Sequence, residues 1–289
     1  MQRRLLRAGS LDPSLPTLVA VTLTSQAITN SLPAGSAAAA VYGFRWYRRL
    51  GATDALAAWT LVGALVTSVL SLALLVSAGL ALATEDGGSL DLIPVTIAVV
   101  VLTCLVGAFF VSERLRIVVL ARGLRFGRRL IGRPRGDIDA LVARLTVSLG
   151  RTRMGTRDVA AVMSWGAGNW LFDCACFALS FLAIGAGIPW KGLLVAYGAG
   201  QLAANLPITP GGLGAVEGSL TIALVAFGGA QASTVAAVLI YRLISFWLQL
   251  PIGWGAGGIL ALGVRRGRWP RRVVRAALGE PATVRGVER

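Results

Sequence analysis

From Ala55 to Ala83 the chain carries no charged side chain at all. That is longer than the roughly 20 apolar residues a helix needs to cross a bilayer core of about 30 Å. Comparable apolar segments run from about Leu15 to Leu32, Leu92 to Val111, Val159 to Ile184, Gly192 to Phe227 and Ala232 to Leu262. With 55% hydrophobic and only 14% charged residues among 289, and a mean hydropathy of +0.72, a soluble core of this size has nowhere to hide so much apolar surface. The sequence therefore reads as all-α, a polytopic integral membrane helical bundle. One transmembrane domain, 14–263, lies between a basic N-terminus, 1–13, and a basic tail, 264–289, that reads as mobile.

The net charge of +15 does not point to nucleic acid, because the arginines stand in blocks beside apolar runs without interleaved aromatics. They suit cytoplasmic membrane flanks. The stretch 113–158 holds twelve arginines against four acids, and the tail eight against two, whereas the loop with Glu85, Asp86 and Asp91 has no basic residue. That bias puts the acidic loop outside and both basic segments, including the C-terminus, in the cytoplasm of a multi-pass membrane protein. Between Arg114 and Arg135 the arginines alternate with apolar residues, which fits either an interfacial helix on anionic lipid or a plain cytoplasmic loop.

Charge counting also sets a problem. The first apolar segment has Arg3, Arg4 and Arg7 before it and Arg45, Arg48 and Arg49 after it, so both flanks read as cytoplasmic. A hairpin turning near Pro33-Ala-Gly35 resolves this. The segment 192–227, interrupted from Pro207 to Gly214, must enter and leave from the outside. Two re-entrant, broken hairpins on opposite sides follow. Their turns share a pattern: Gln26, then Asn30 and Leu-Pro33; Gln201, then Asn205 and Leu-Pro207. The intervals differ by one residue before the proline. Gln and Asn four apart share a helix face, and the odd number of spans between the copies would make the repeat inverted, as in transporters with discontinuous helices. Chance similarity between two Leu-Pro helix ends is the other reading.

Irregular backbone at membrane depth survives only where protein buries it or water reaches it. After Thr209 and Pro210, the residues Gly211, Gly212 and Gly214 expose amide N–H groups just before a helix restarts, an arrangement suited to a phosphate; close helix packing is the bland alternative. Asp173, Glu217 and Arg242 stand inside apolar segments, where charge is costly, so they should face inward and pair. Asn169 shares a face with Asp173. Two readings stand for each. Glu217 caps its own helix or acts on a ligand; Asp173 and Arg242 pair with each other, or Arg242 holds a lipid phosphate while Asp173 and Glu217 meet a cationic head group. Near Pro251 the last segment should bend.

No histidine is present, and Cys104, Cys174 and Cys176 fall in apolar runs as small hydrophobes, so no metal, cofactor or catalytic residue is expected. A membrane enzyme acting on lipid-linked sugars would have only Asp173 and Glu217 as bases, with no nucleotide-binding loop or nucleophile pattern beside them. A scaffold for a synthase encoded elsewhere is the remaining class.

The run Pro207-Ile-Thr-Pro-Gly-Gly-Leu-Gly-Ala-Val-Glu217 with Tyr241-Arg242-Leu-Ile-Ser245, supported by Asn169-Trp170, Asp173 and Asn30-Ser-Leu-Pro-Ala-Gly35, resembles the transmembrane domain of bacterial lysylphosphatidylglycerol synthase/flippase proteins and its stand-alone relatives. The similarity covers about residues 15 to 263. It implies a flippase-like protein translocating an anionic or aminoacylated phospholipid, or a polyprenyl-type lipid, between leaflets. A partner synthase or a homo-oligomer is compatible with it. The tail is too short for the family's soluble aminoacyl-transferase domain, so synthase activity is not expected. Relatives also usually carry further helices ahead of the segment equivalent to Leu15, which puts the completeness of the inverted repeat in question.

Overall fold

The computed structural model describes residues 1–83, 154–204 and 209–266, with Ile97, Val101, Leu105 and Ser112 besides. The apolar segment 92–111 lies almost wholly outside the described residues, and 113–153, Asn205 and the tail from 267 entirely so. In chain order the elements are α1 (Gln2–Arg7), α2 (Leu15–Ser31), α3 (Gly35–Arg49), α4 (Asp54–Ala83), α5 (Thr156–Ala183) and α6 (Trp190–Ala204). A 3-10 turn at Pro210–Gly212 then leads to α7 (Ala215–Ala226), α8 (Gln231–Arg242), a π-helical turn at Leu243–Trp247 and α9 (Gln249–Arg265). Among the described residues there is no strand. The expected all-helical membrane bundle is observed.

Lengths divide the helices into two kinds. The segments Asp54–Leu80, Thr156–Ala183 and Gln231–Arg265 are long and apolar enough to cross a membrane. The pairs α2 and α3, of 17 and 15 residues, and α6 and α7, of 15 and 12 residues, are not. At 1.5 Å per residue they reach about 18–26 Å, short of the roughly 30 Å core. Within each pair the helices pack on each other, which makes two hairpins.

Local chemistry sets the first hairpin's turn. Pro33 forces its predecessor out of the helical region, and Leu32 is extended at φ −121°, ψ 142°. The chain then doubles back so closely that a Cβ on Gly35 would lie 2.5 Å from the Thr29 carbonyl oxygen. Only glycine fits there.

Two apolar cores sit at opposite ends of the bundle. In the first, Leu5 and Leu6 of α1, Leu18 and Val21 near the start of α2, Trp46 and Tyr47 near the end of α3, Leu56 and Leu260 come together. In the second, Phe177 and Phe181 of α5 pack with Leu193 and Ala196 of α6, Leu220 and Leu224 of α7 and Val238 of α8. The open ends of α2–α3 thus lie at the arginine-rich end, with Arg4 bonded to Asp158 at 2.9 Å. Those of α6–α7 lie at the other end, where Gly192 abuts Phe227. The hairpins point toward each other and meet: the 3-10 turn packs on α2, and a Cβ on Gly211 would stand 3.3 Å from the Asn30 carbonyl oxygen.

The basic N-terminal segment is a packed element. Besides its two buried leucines, α1 is tied by Arg7, whose Nε and Nη2 both donate to Asp12 at 2.9 Å, and by Arg3 at 2.8 Å. The hydrogen bonds from Arg7, then Arg3, hold the exposed Asp12 carboxyl down to about 2.

Pro251, where a bend is expected, lies inside α9, four residues after the π turn at Leu243–Trp247. Pro251 has no N–H for the Trp247 carbonyl and its ring crowds that group. The π turn 243–247 ends at that same Trp247, and the helix continues to Arg265. Beyond the turn, α9 lies along α2, at a distance fixed by glycine: a Cβ on Gly253 would approach the Leu23 carbonyl oxygen to 2.4 Å and the Ala27 Cβ to 2.6 Å. Small residues bring membrane helices this close.

Gly253→Ala should therefore destabilise the protein by about 1–3 kcal/mol through overpacking. Gly255→Ala, where nothing lies within 4 Å of the added carbon, should be neutral or slightly stabilising through helix propensity. Unfolding in detergent, followed by circular dichroism, measures both.

Candidate functional site

The polar residues of the apolar helices gather between the two cores, in two constellations. The first centres on Asp173 of α5. Tyr197 and Gln201, four apart on α6, share one face, and that face meets Asp173 together with Tyr241 of α8. The Asp173 Oδ2 accepts the Tyr197 hydroxyl at 2.5 Å and the Tyr241 hydroxyl at 2.9 Å. Gln201 Nε2 approaches it at 3.4 Å and the Tyr241 hydroxyl oxygen at 3.5 Å. Both tyrosines are buried. Burial in this layer demands that the phenol hydroxyls find acceptors, and one carboxylate oxygen serves both.

The second constellation is an ion pair built on the broken backbone. Arg242, 7% exposed, donates from Nε to Glu217 Oε1 at 2.6 Å and from Nη2 to the Gly211 carbonyl at 3.0 Å. Its guanidinium lies 4.6 Å from the centre of the Phe246 ring. Glu217 Oε2 in turn accepts the Gly214 N–H at 2.6 Å, capping α7 from its third position. The glycines follow from this geometry. Gly211 and Gly214 have φ of 57° and 84°, a region costly for residues with a Cβ, and a Cβ on Gly211 would fall inside the Phe246 ring's contact distance at 2.1 Å.

Two sequence expectations change here. Asp173 does not pair with Arg242; tyrosines hold the first and Glu217 the second, because Asp173 faces α6 while the loop carbonyl draws the guanidinium toward α7. Three of the amides around the glycine turn are engaged within the chain. The Gly212 N–H bonds Thr209 O at 3.2 Å, the Leu213 N–H bonds Pro210 O at 3.3 Å, and the Gly214 N–H is taken by Glu217. The chain's own carboxylate thus holds one of the amides, that of Gly214, to which a phosphate was expected to bind. Thr209 contributes within the loop, its hydroxyl donating to the Leu213 carbonyl at 2.9 Å.

Gln26 and Asn169 lie elsewhere. Both are exposed on a cavity of about 590 Å³ between α2 and α5, which Gln2 and Arg3 of α1 line at the arginine-rich end and Ser68 of α4 lines deeper in. Thr22, one turn before Gln26, donates to Gln2 Oε1 at 2.9 Å. On the α5 wall Trp165 and Phe172 are 64% and 80% exposed, so the cavity opens beside a strongly apolar surface. Asn169 and Asp173 are one helical turn apart, which places the cavity's amide next to the carboxylate layer. Asn30 contributes its backbone, at the contact with Gly211. Gln201 binds Asp173 and so does not mirror Gln26.

Sequence reasoning did not single out Tyr197 or the Gly211 carbonyl. Tyr197 had a signal, standing four residues before Gln201 on a face otherwise apolar or small. The carbonyl had none, since a backbone acceptor carries no residue signature.

Comparison with known proteins bears on all of this. The family described as "Lysylphosphatidylglycerol synthase TM region" matches residues 2–253. A UPF0104 membrane protein of Methanothermobacter thermautotrophicus is 32% identical over 87 residues, 29% of this chain and 25% of that protein. The match thus spans about a quarter of the relative's length. No solved structure matches.

Removing one partner of the buried pair strands the other, at a cost of about 3–5 kcal/mol, whereas replacing both with apolar residues is far milder. Arg242→Met and Glu217→Met should each destabilise by that order, and the double variant by clearly less than their sum. A double-mutant cycle of unfolding in detergent measures the coupling.

Proposed function

The chain belongs to the lysylphosphatidylglycerol synthase transmembrane-region family, and on that premise we propose that it carries an anionic or aminoacylated phospholipid, or a lipid-linked intermediate, between membrane leaflets. The observation that supports the reading is the meeting of two short hairpins at a buried polar layer beside the Gln26–Asn169 cavity. Discontinuous helices that end near the midplane are how carriers place polar groups at that depth.

In this reading the arginine-rich end is cytoplasmic and the membrane is a bacterial cell membrane. Hairpin α2–α3 dips in from the cytoplasmic face, α6–α7 from the opposite one, and the C-terminus stays inside. The lipid head moves past Gln26 and Asn169, whose amides offer both donors and acceptors, toward Asp173, which suits a cationic portion of the head. The acyl chains remain in the bilayer alongside Trp165 and Phe172. Nothing in this path breaks or forms a covalent bond in the lipid, so the role is transport and not catalysis.

Full-length protein in proteoliposomes should therefore move a head-labelled anionic phospholipid across the bilayer, scored by chemical quenching of the outer leaflet. Gln26→Leu and Asn169→Leu, both at exposed positions, should fold as the parent does yet slow translocation about tenfold or more, a barrier increase of at least about 1.4 kcal/mol. Parental rates in both variants would sink the carrier reading.

A further inference from the structure

On the other side of α2 lies a second cavity of about 660 Å³, a groove between α3 and α9. Its walls follow helical periodicity. Tyr42, Trp46 and Arg49 recur at i, i+4 and i+7 on α3, while Trp254, Gly258, Ala261 and Arg265 recur at i, i+4, i+7 and i+11 on α9, so each helix turns one face inward. Thr24 and Ile28 of α2 form the floor. Gln26 stands midway between them in sequence, about 200° away around the helix, and lines the first cavity instead. The two spaces are separated by the body of α2.

Along α9 the groove rises about 16 Å from Arg265 to Trp254, roughly half the thickness of the apolar core. Its deep end is closed by Trp254, whose indole N–H donates to Ser31 Oγ at 3.1 Å. Gly258 leaves the α9 wall open, with nothing within 4 Å of where its Cβ would be. The mouth carries the charge. Arg48 is paired with Asp54, but neither Arg49 nor Arg265 meets a carboxylate among the described residues; Arg49 rests 5.3 Å from the centre of the Trp46 ring. Both guanidinia are exposed, at the arginine-rich end of the bundle.

Two guanidinia with no carboxylate partner among the described residues, above an apolar slot and flanked by aromatic rings, match a phosphodiester above an acyl chain. Guanidinium pairs phosphate oxygens in a planar, two-pronged geometry, basic pockets between membrane helices hold anionic head groups, and aromatic rings favour the head-group level. We propose that this groove is a binding site for an anionic glycerophospholipid, with its phosphate on Arg49 and Arg265 and one acyl chain lying over Gly257 and Gly258 toward Trp254. The lipid stays bound there and does not use the α2–α5 cavity, so the site stands whether or not the protein is a carrier.

Native mass spectrometry of the full chain, titrated with phosphatidylglycerol and phosphatidylcholine of identical chains, tests it. The parent should prefer phosphatidylglycerol by about tenfold or more, since each guanidinium near a membrane surface contributes on the order of a fivefold gain. The double variant Arg49→Gln, Arg265→Gln should lose that preference. Gly258→Leu, which fills open space, should weaken both lipids alike, and inorganic phosphate should not compete. An unchanged preference in the double variant overturns the proposal. So does competition by inorganic phosphate, which would make the site a phosphate site only, or a dimer abolished by Gly258→Leu with lipid binding intact, which would assign the groove to a second copy.

Discussion

The hydrogen bond from Arg242 to the Gly211 carbonyl, backed by the Glu217 carboxylate, is what allows the chain to break its backbone within an apolar bundle. A carbonyl without a partner in an apolar setting costs several kcal/mol, and a helix start leaves further N–H groups open. Here a single ion pair addresses both ends of the gap: the guanidinium satisfies the carbonyl at Gly211 and the carboxylate satisfies the amide at Gly214. Each charge also neutralises the other, at 9% and 23% side-chain exposure. The turn, the glycines that shape it and the site of contact with α2 all presuppose this arrangement. Phe246 extends it, since the same ring lies over Gly211 and beneath the guanidinium.

Much of this was legible in the residues. Apolar length separated crossing helices from short ones, and the arginine distribution required two hairpins on opposite sides; the structure has two short hairpins with their open ends at opposite ends of the bundle. Leu-Pro33 and Pro210-Gly-Gly placed the turns, and charge inside apolar segments marked Asp173, Glu217 and Arg242 as inward-facing. What stayed hidden was partner choice. Asp173 and Arg242 look complementary in sequence, but helix spacing says only which residues share a face on one helix, and the choice between helices depends on rotation and tilt. A tyrosine pair can satisfy a carboxylate as readily as an arginine can, and nothing local distinguishes the two.

The bundle divides into two units bridged by three long helices, α4, α5 and Gln231–Arg265. One unit contains α1, α2, α3 and the α9 half of Gln231–Arg265, packed about Leu5, Trp46 and Leu260. The other contains α6, α7, the end of α5 and the α8 half, packed about Phe177, Tyr197 and Leu220. The π turn falls at the boundary, where α8 gives way to α9. Each unit carries one hairpin, and the units meet at the hairpin tips and along α4, which packs on α1 and α3 and on α6.

This division constrains how a head group could pass. A ligand moving from the Gln26–Asn169 cavity toward Asp173 stays on the α5 side and never has to open the Arg242–Glu217 pair, which lies on the α7–α8 side. Passage to the far face is different, because the second apolar core fills the space between α5, α6 and α8 beyond Asp173. Opening that core by rupturing the ion pair would strand two charges and two backbone groups together, a cost beyond what a transient state of a marginally stable fold readily meets. Moving one whole unit against the other would keep the pair intact, because Gly211, Glu217 and Arg242 all belong to the unit of the second hairpin. The contact of Asn30 with Gly211 would change, and so would those of α4, which packs on α1 and α3 in one unit and on α6 in the other. A movement of that kind leaves the central ion pair closed throughout.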